Sequence, residues 1–236
     1  MPLVSLAVLL LAFVLVQAFS SYSAARTAEA HEATAILVLF REAELLPDAG
    51  TRNAIRRDVV CYATSVIEQE WPAMKDERLS NAPAYWASAI RRRAVVAGRS
   101  GAGSAAARVV VERDGQRAGG RQDRLAEARR QVPDALYLLM VIAVAAAIAL
   151  IGVVTFGGIS SAVHAGLVVT STFVFAGCLI LIHDLDQPYG GITAHHPSQI
   201  KLVRSQMRSE VRGLPCDRRG LPRSDRAFVL RTTPLD

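Results

Sequence analysis

Charge is missing from two long stretches of this chain. No Asp, Glu, Lys or Arg occurs from Met1 to Ala25, and none from Ala135 to His183. Lysine is nearly missing everywhere: of 27 basic residues only Lys75 and Lys201 are lysines. Cysteine is scarce too. Cys61, Cys178 and Cys216 lie far apart, so neither a disulfide framework nor a metal ribbon is implied. The glycines at 98, 101 and 103 follow no strand and precede no lysine, which argues against a phosphate-binding loop. No G-x-S-x-G or H-E-x-x-H run is present. No catalytic residue, metal ligand set or cofactor is therefore assigned, and the chain is expected to be non-enzymatic.

An uncharged run as long as 135–183 has no place in a soluble protein of 236 residues. A helix that is apolar all round needs a large core or lipid. The pattern predicts an all-α integral membrane protein with three spans and a cytoplasmic domain of amphipathic helices. The first span runs from Leu3 to about Phe19. Its Leu, Val and Phe residues each favour insertion by roughly 0.3–0.6 kcal/mol near the bilayer centre. No basic residue precedes it, unlike a signal peptide, so it reads as an uncleaved anchor. The second and third spans, Leu136–Phe156 and about Val163–Ile182, are separated by a turn at Gly157-Gly158 and Ser160-Ser161.

Both charged blocks then fall on one side. Residues 26–134 carry 18 basic and 15 acidic groups, and residues 184–236 carry 9 and 6. Arginine-rich flanks mark the cytoplasm. The expected placement is the inner (plasma) membrane, multi-pass, with the N-terminus outside and the C-terminus cytoplasmic. Nucleic acid is not expected as a partner, because acids dilute the bases and no recognition motif accompanies them. The arginine bias points to a GC-rich bacterial genome. The expected division is a first transmembrane helix at 1–20, a cytoplasmic helical domain at 21–134, a transmembrane hairpin at 135–183 and a partly disordered cytoplasmic tail at 184–236.

Within the cytoplasmic block no Gly or Pro interrupts Leu3–Leu46, so one helix can run through the membrane and beyond. Ile36, Leu39, Phe40, Ala43 and Leu46 share a face. Pro47 to Gly50 stops this helix, and Arg52–Glu70 makes a second with Ile55, Val59, Tyr62, Ala63 and Val66 inward. The short link implies an antiparallel pair. Trp71-Pro72 reads as a terminator. Ser80 or Asn81 can cap a third helix, with Pro83 in its first turn and Trp86, Ile90 and Ala94 inward. Gly98–Gly120 reads as a frayed connection and Arg121–Gln131 as a helix. Ile200, Val203, Met207 and Val211 form a stripe flanked by basic residues, which fits a helix on anionic lipid or a weakly structured tail. Residues 213–236 look disordered.

Two polar groupings stand out. His183, Asp184, Asp186, His195 and His196 are metal-ligand types, but their spacing fits no metal motif and they read first as an interfacial turn. His164, Thr170, Ser171 and Thr172 lie in or beside the third span. They can line a pore or hydrogen-bond between packed helices.

Three segments carry a family resemblance. They are Glu32-Ala-Thr-Ala-Ile36 through Leu45-Leu46-Pro47; Tyr62 through Glu70-Trp71-Pro72; and Asp184-Leu-Asp186-Gln-Pro188-Tyr189-Gly190 followed by Pro197. In order and spacing they resemble the bestrophin-like domain of bacterial membrane proteins. The resemblance marks Glu32, Tyr62, Glu70, Trp71, Pro72, Asp186, Pro188, Tyr189 and Gly190 as positions with a structural, pore or assembly role. Family members usually carry a further apolar span ahead of the first one seen here. Bestrophins are oligomeric anion channels with long helices running from membrane to cytosol. By that analogy the chain is expected to form a homo-oligomeric, channel-like assembly in the lipid bilayer that handles an inorganic ion. The competing expectation is a membrane-anchored interaction or scaffold protein without conductance, docking through the Ile36–Val66 helix pair. For Asp186–Gly190 the favoured role is to end the third span and lay Tyr189 at headgroup depth.

Overall fold

The computed structural model describes residues 2–99, 104–129, 132–158, 160–223 and 228–234. Helices dominate: α1 Pro2–Glu42, α2 Ala49–Ser65, α3 Trp71–Lys75, α4 Ala82–Gly98, α5 Ser104–Ala126, α6 Asp134–Thr155, α7 Ser161–Leu185 and α8 Ser198–Glu210. Two three-residue strands, β1 Arg78–Ser80 and β2 Thr232–Pro234, pair antiparallel. The chain divides into two compact units, Met1–Ala24 with Arg130–Ala194, and Ala25–Arg129 with His195–Asp236.

The first unit holds the start of α1 with α6 and α7. Three helices of the chain, the long N-terminal one, α6 and α7, are long and apolar enough to cross a membrane. Leu11, Val14, Met140, Val144, Phe175 and Ile182 form a buried cluster. Much of the remaining apolar surface is open, with Phe156 and Phe173 more than 80% exposed. In water that exposure would carry a heavy cost at roughly 25 cal/mol per Å², so hydrocarbon or a neighbouring chain is the medium these faces require. The α6–α7 turn uses Gly157 at φ +77°, a conformation that suits glycine. α7 runs on to Leu185, so His183 and Asp184 are helical.

The second unit holds the rest of α1, with α2–α5, α8 and both strands. The apolar stripes read from the sequence are its core: Ile36, Leu39, Phe40, Ala43, Ile55, Val59, Tyr62, Ala63, Val66 and Ile90 are wholly buried, and Leu46, Trp86 and Ala94 nearly so. Arg56 lies over Phe40 and Tyr62 reaches Glu32, so α2 retraces α1 antiparallel. After Pro47, Asp48 starts α2 by accepting a hydrogen bond from the Thr51 amide at 2.6 Å.

Several expectations are corrected. Trp71-Pro72 does not terminate a helix. The chain passes from α2 through a π-helical turn at Val66–Glu70 into α3, whose first turn accommodates the proline because that amide needs no partner there. Gly98–Gly120 is no frayed connection, since α5 covers Ser104–Ala126. The glycines at 101 and 103 lie outside the described residues. The stripe of α8 (Ile200, Val203, Met207) is buried against α2 rather than laid on lipid. Residues after 213 are ordered where described: Cys216 is disulfide-bonded to Cys61, and β2 pairs with β1.

Candidate functional site

Five charged side chains meet inside the second unit. Glu32 comes from α1, Glu70 from the end of the π turn, and Arg117, Arg121 and Arg124 from one side of α5. Inserting one residue into a helical turn re-aims the side chains that follow it. Here the sequence neighbours Glu70 and Trp71 are both buried. On α5 the inward positions are Ala107, Val110, Asp114, Arg117, Gly120 and Arg124, a helical spacing whose later members are polar. At Gly120 a Cβ would stand 2.9 Å from the Glu32 Cα. Only glycine lets α5 pass this close to α1.

The bonds form a closed network. Tyr62 donates its hydroxyl to Glu32 Oε1 at 2.6 Å. Arg124 Nε donates to Glu32 Oε2 and Arg124 Nη2 to Glu70 Oε2, each at 2.5 Å. Arg121 donates to both oxygens of Glu70. Arg124 also lies 5.2 Å from the Trp71 ring centre, and Arg117 lies 4.3 Å over Tyr62. Arg117 and Arg91 share Asp114. Every oxygen of Glu32 and Glu70 is occupied, and the ion pairs of Arg124 are fully buried. Charges so deeply buried persist only when paired and hydrogen-bonded.

Burial pulls Glu70 toward its neutral form, but Arg124 and Arg121 outweigh it and hold the carboxyl below its ordinary value. Burial works against the charge of Arg124, and the carboxylates of Glu32 and Glu70 overcome it and raise its pKa. Burial and then the Glu32 carboxylate push the Tyr62 phenol far up, so it stays a neutral donor. The network therefore holds fixed charge rather than a mobile proton or a nucleophile. Chemically it is a clamp joining α1, the π turn and α5.

A second clamp involves Glu29, one turn before Glu32. Its Oε1 accepts the amides of Gln199 and Ile200 at the start of α8, at 2.9 and 3.2 Å, and its Oε2 meets His195 Nε2 at 2.7 Å. A carboxylate at a helix start satisfies free amides and favours the helix dipole. Trp71 Nε1 donates to the His195 carbonyl at 3.0 Å. A groove of about 610 Å³ opens between α4 and α5, lined by Arg91, Arg92, Arg99, Arg117 and Arg121 among Ala and Val side chains. Pro72 is exposed and takes no part in either clamp.

In the first unit Asp186 ends α7 and accepts the Val132 amide at 3.0 Å, holding the approach to α6. Asp184 is taken up by the amides of Ile192 and Thr193 and by the Thr193 hydroxyl. Pro188 is buried and Gly190 exposed. Tyr189 is buried. His164 Nδ1 meets the Thr155 hydroxyl at 2.7 Å, and Thr172 bonds back to the Val168 carbonyl at 2.8 Å. Thr170 and Thr172 are exposed and Ser171 is half-buried. Among the described residues, no group of three or more His, Cys, Asp or Glu side chains could hold a metal ion.

Sequence reasoning marked Glu32, Tyr62, Glu70 and Trp71, and the structure brings them together. It passed over Glu29, Arg117 and Arg121. The signal that could have found them is the three- and four-residue spacing of Asp114, Arg117, Arg121 and Arg124.

The fold is similar to that of a bacterial bestrophin homologue from Klebsiella pneumoniae, with a TM-score of 0.69 and 14% identity over 89% of this chain and 86% of that one. A single-substitution form of a homologue from the same organism gives 0.69 at 16% identity, over 88% and 82%. A further crystallised membrane protein gives 0.68 at 15%, over 88% and 84%. No curated protein matches the sequence. The family model of the Bestrophin-like domain covers residues 1–199. An all-helical membrane protein with this fold and that match belongs to the bestrophin-like family.

Proposed function

We propose that copies of this chain assemble around an axis in a bacterial inner membrane and conduct an inorganic ion along it. The observation that carries this reading is the bareness of the spans. The apolar windows of α1, α6 and α7 are only 28%, 17% and 11% buried within one chain. Three helices so sparsely covered enclose no water path of their own. A path built by several copies needs each to contribute polar groups, and Thr170 and Thr172 are exposed on opposite sides of α7, so either side has a hydroxyl to offer. Family membership supports the same reading. Arginine-rich flanks orient the chain with its charged blocks in the cytoplasm and its first residues outside. There the arginine groove between α4 and α5 raises the local concentration of anions.

Purified protein reconstituted into planar bilayers under chloride and potassium gradients tests this, with native mass spectrometry of the same sample. An oligomer with ion-dependent currents is the expected result. A monomer silent under every gradient overturns it and favours the membrane-anchored scaffold. In that second reading the docking surface would be the outward side of the Ile36–Val66 helix pair, since its inward faces, Tyr62 included, are buried inside the chain itself.

A further inference from the structure

Beyond residue 199, where the family match ends, the chain continues into a tail that is fastened to the second unit at two places. At the first, Cys216 is bonded to Cys61 of α2, across 155 residues of sequence. The loop that follows is tightly made. Asp217 Oδ1 accepts the amides of Arg219 and Leu221 at 2.9 and 2.8 Å. Gly220 adopts φ +76°, and a Cβ there would collide with the Ser65 amide nitrogen. The Trp86 indole donates to the Gly220 carbonyl at 2.7 Å, and Gln69 to that of Arg219 at 3.2 Å. At the second place Asn81 bonds Val229 and Arg231, Phe228 stacks edge-on against Tyr85, and β2 pairs with β1. Both sulfur-bearing residues are buried, Cys61 fully and Cys216 to 1% exposure.

Both cysteines lie in the arginine-rich blocks that the orientation proposed above assigns to the cytoplasm. Disulfides in that compartment do not persist as structural bonds; where they form, they are transient and redox-sensing. We infer that Cys61 and Cys216 form a reversible thiol-oxidation site that latches the C-terminal tail onto the helical domain. This rests on the cytoplasmic orientation. Closing the latch converts two thiols to one disulfide. Two electrons and two protons pass to a disulfide or diazene oxidant. Opening is the reverse exchange. A thiolate of a small dithiol attacks one sulfur, a mixed disulfide forms, and the second thiol of the reductant displaces the protein thiol and leaves as its own disulfide. A thiolate cannot reach sulfurs this buried while the tail is seated. Reduction therefore waits on the tail lifting, and the Trp86 and Gln69 bonds set how often it lifts.

Thiol trapping in growing cells tests the site. Acid quenching, denaturation and labelling with a polymer-linked maleimide give three adducts when all of Cys61, Cys178 and Cys216 are thiols, and one when the latch is closed. The expected result is three adducts in unstressed cells. The count falls to one after addition of the permeant oxidant diamide and returns to three as the cells recover. Three adducts throughout overturn the latch and leave the orientation standing. One adduct throughout overturns both, because a permanent bond belongs to an oxidising compartment.

On purified full-length protein in lipid nanodiscs, oxidation is expected to protect the arginines at 218, 219 and 223 from trypsin, and Cys216→Ser to expose them. Equal cleavage of the two overturns the latch. Dithiothreitol is expected to open the bond several-fold faster in Gln69→Ala and in Trp86→Phe, in line with one lost hydrogen bond of about 1 kcal/mol. Unchanged rates in both variants overturn the control by tail lifting.

Discussion

The hydroxyl of Tyr62 donates to Glu32 at 2.6 Å, while Arg117 covers the face of the same ring at 4.3 Å. One aromatic side chain of α2 thus touches an acid from α1 and a base from α5. The acid is in turn gripped by Arg124, two residues before the end of α5, so the three helices share one set of charges. Apolar packing alone would allow these helices to slide; paired buried charges do not, because any displacement leaves a charge without its partner. The clamp therefore fixes the register of the second unit.

Arg124 is the hub, and its loss should be severe. Arg124→Met strands Glu32 with only the Tyr62 hydroxyl and leaves Glu70 with Arg121. Removing one member of a buried ion pair costs roughly 3–5 kcal/mol. Arg124→Lys should recover only part of this, because one ammonium cannot address two carboxylates in fixed directions. Thermal unfolding of detergent-purified protein, followed by size-exclusion profile, checks both. An Arg124→Met melting point equal to wild type would contradict the clamp.

Glycines within α5 should respond in opposite directions. Gly120→Ala drives a Cβ to 2.9 Å from the Glu32 backbone. Neither helix can yield without disturbing the clamp, so a loss of about 1–3 kcal/mol is expected. Gly115 has nothing within 4 Å of its ideal Cβ. Gly115→Ala should instead stabilise the helix by roughly 0.5–1 kcal/mol. The pair of melting temperatures, one down and one up, separates close helix contact from helix propensity.

Acid should loosen the clamp through Glu70. Its folded pKa lies below the ordinary value of 4.5 because Arg124 and Arg121 outweigh burial. Its stabilising contribution is complete above that ordinary value and is lost as pH falls through the lowered folded value. Asp58 acts with the opposite sign. Burial raises its pKa despite Arg93, so its contribution is lost as pH rises through the raised value. The Glu70 effect is therefore read as the difference between wild type and Glu70→Gln. Melting points taken from pH 7 to pH 3 should converge at the acid end.

The apolar part of this architecture was legible in the sequence and much of the polar part was not. The spans followed from the uncharged runs, and the stripes Ile36–Leu46 and Ile55–Val66 from apolar spacing. α5 escaped because its inner face changes from Ala107 and Val110 to Asp114, Arg117, Gly120 and Arg124. A hydrophobic pattern cannot register a face that is buried through ion pairs. The same holds for Glu29, whose partners are backbone amides 170 and 171 positions away. Cys61 and Cys216 gave no spacing signal, since their pairing depends on the path of the tail. Trp71-Pro72 misled because a proline is as compatible with the first turn of a helix as with the end of one.

The exposed hydroxyls of α7 offer the sharpest test of conduction. Thr172 spends its hydroxyl proton on the Val168 carbonyl within its own helix, and Thr170 is exposed. Neither is needed to hold the first unit together, so Thr170→Val and Thr172→Val should fold normally and retain the oligomer. Thr170 and Thr172 lie on opposite sides of α7, so if either side faces the axis the double variant loses a polar group along the path and its single-channel conductance drops several-fold. Thr170→Glu places a carboxylate in the same position, which repels anions and draws cations, so the reversal potential under a salt gradient should move toward the cation value. If instead α7 faces lipid, the valine pair conducts as wild type does. The glutamate then impairs insertion, because a charge on a lipid-facing helix centre costs about 2.5–3.5 kcal/mol. Conductance and membrane yield, measured on the same three proteins, therefore report which way this helix points.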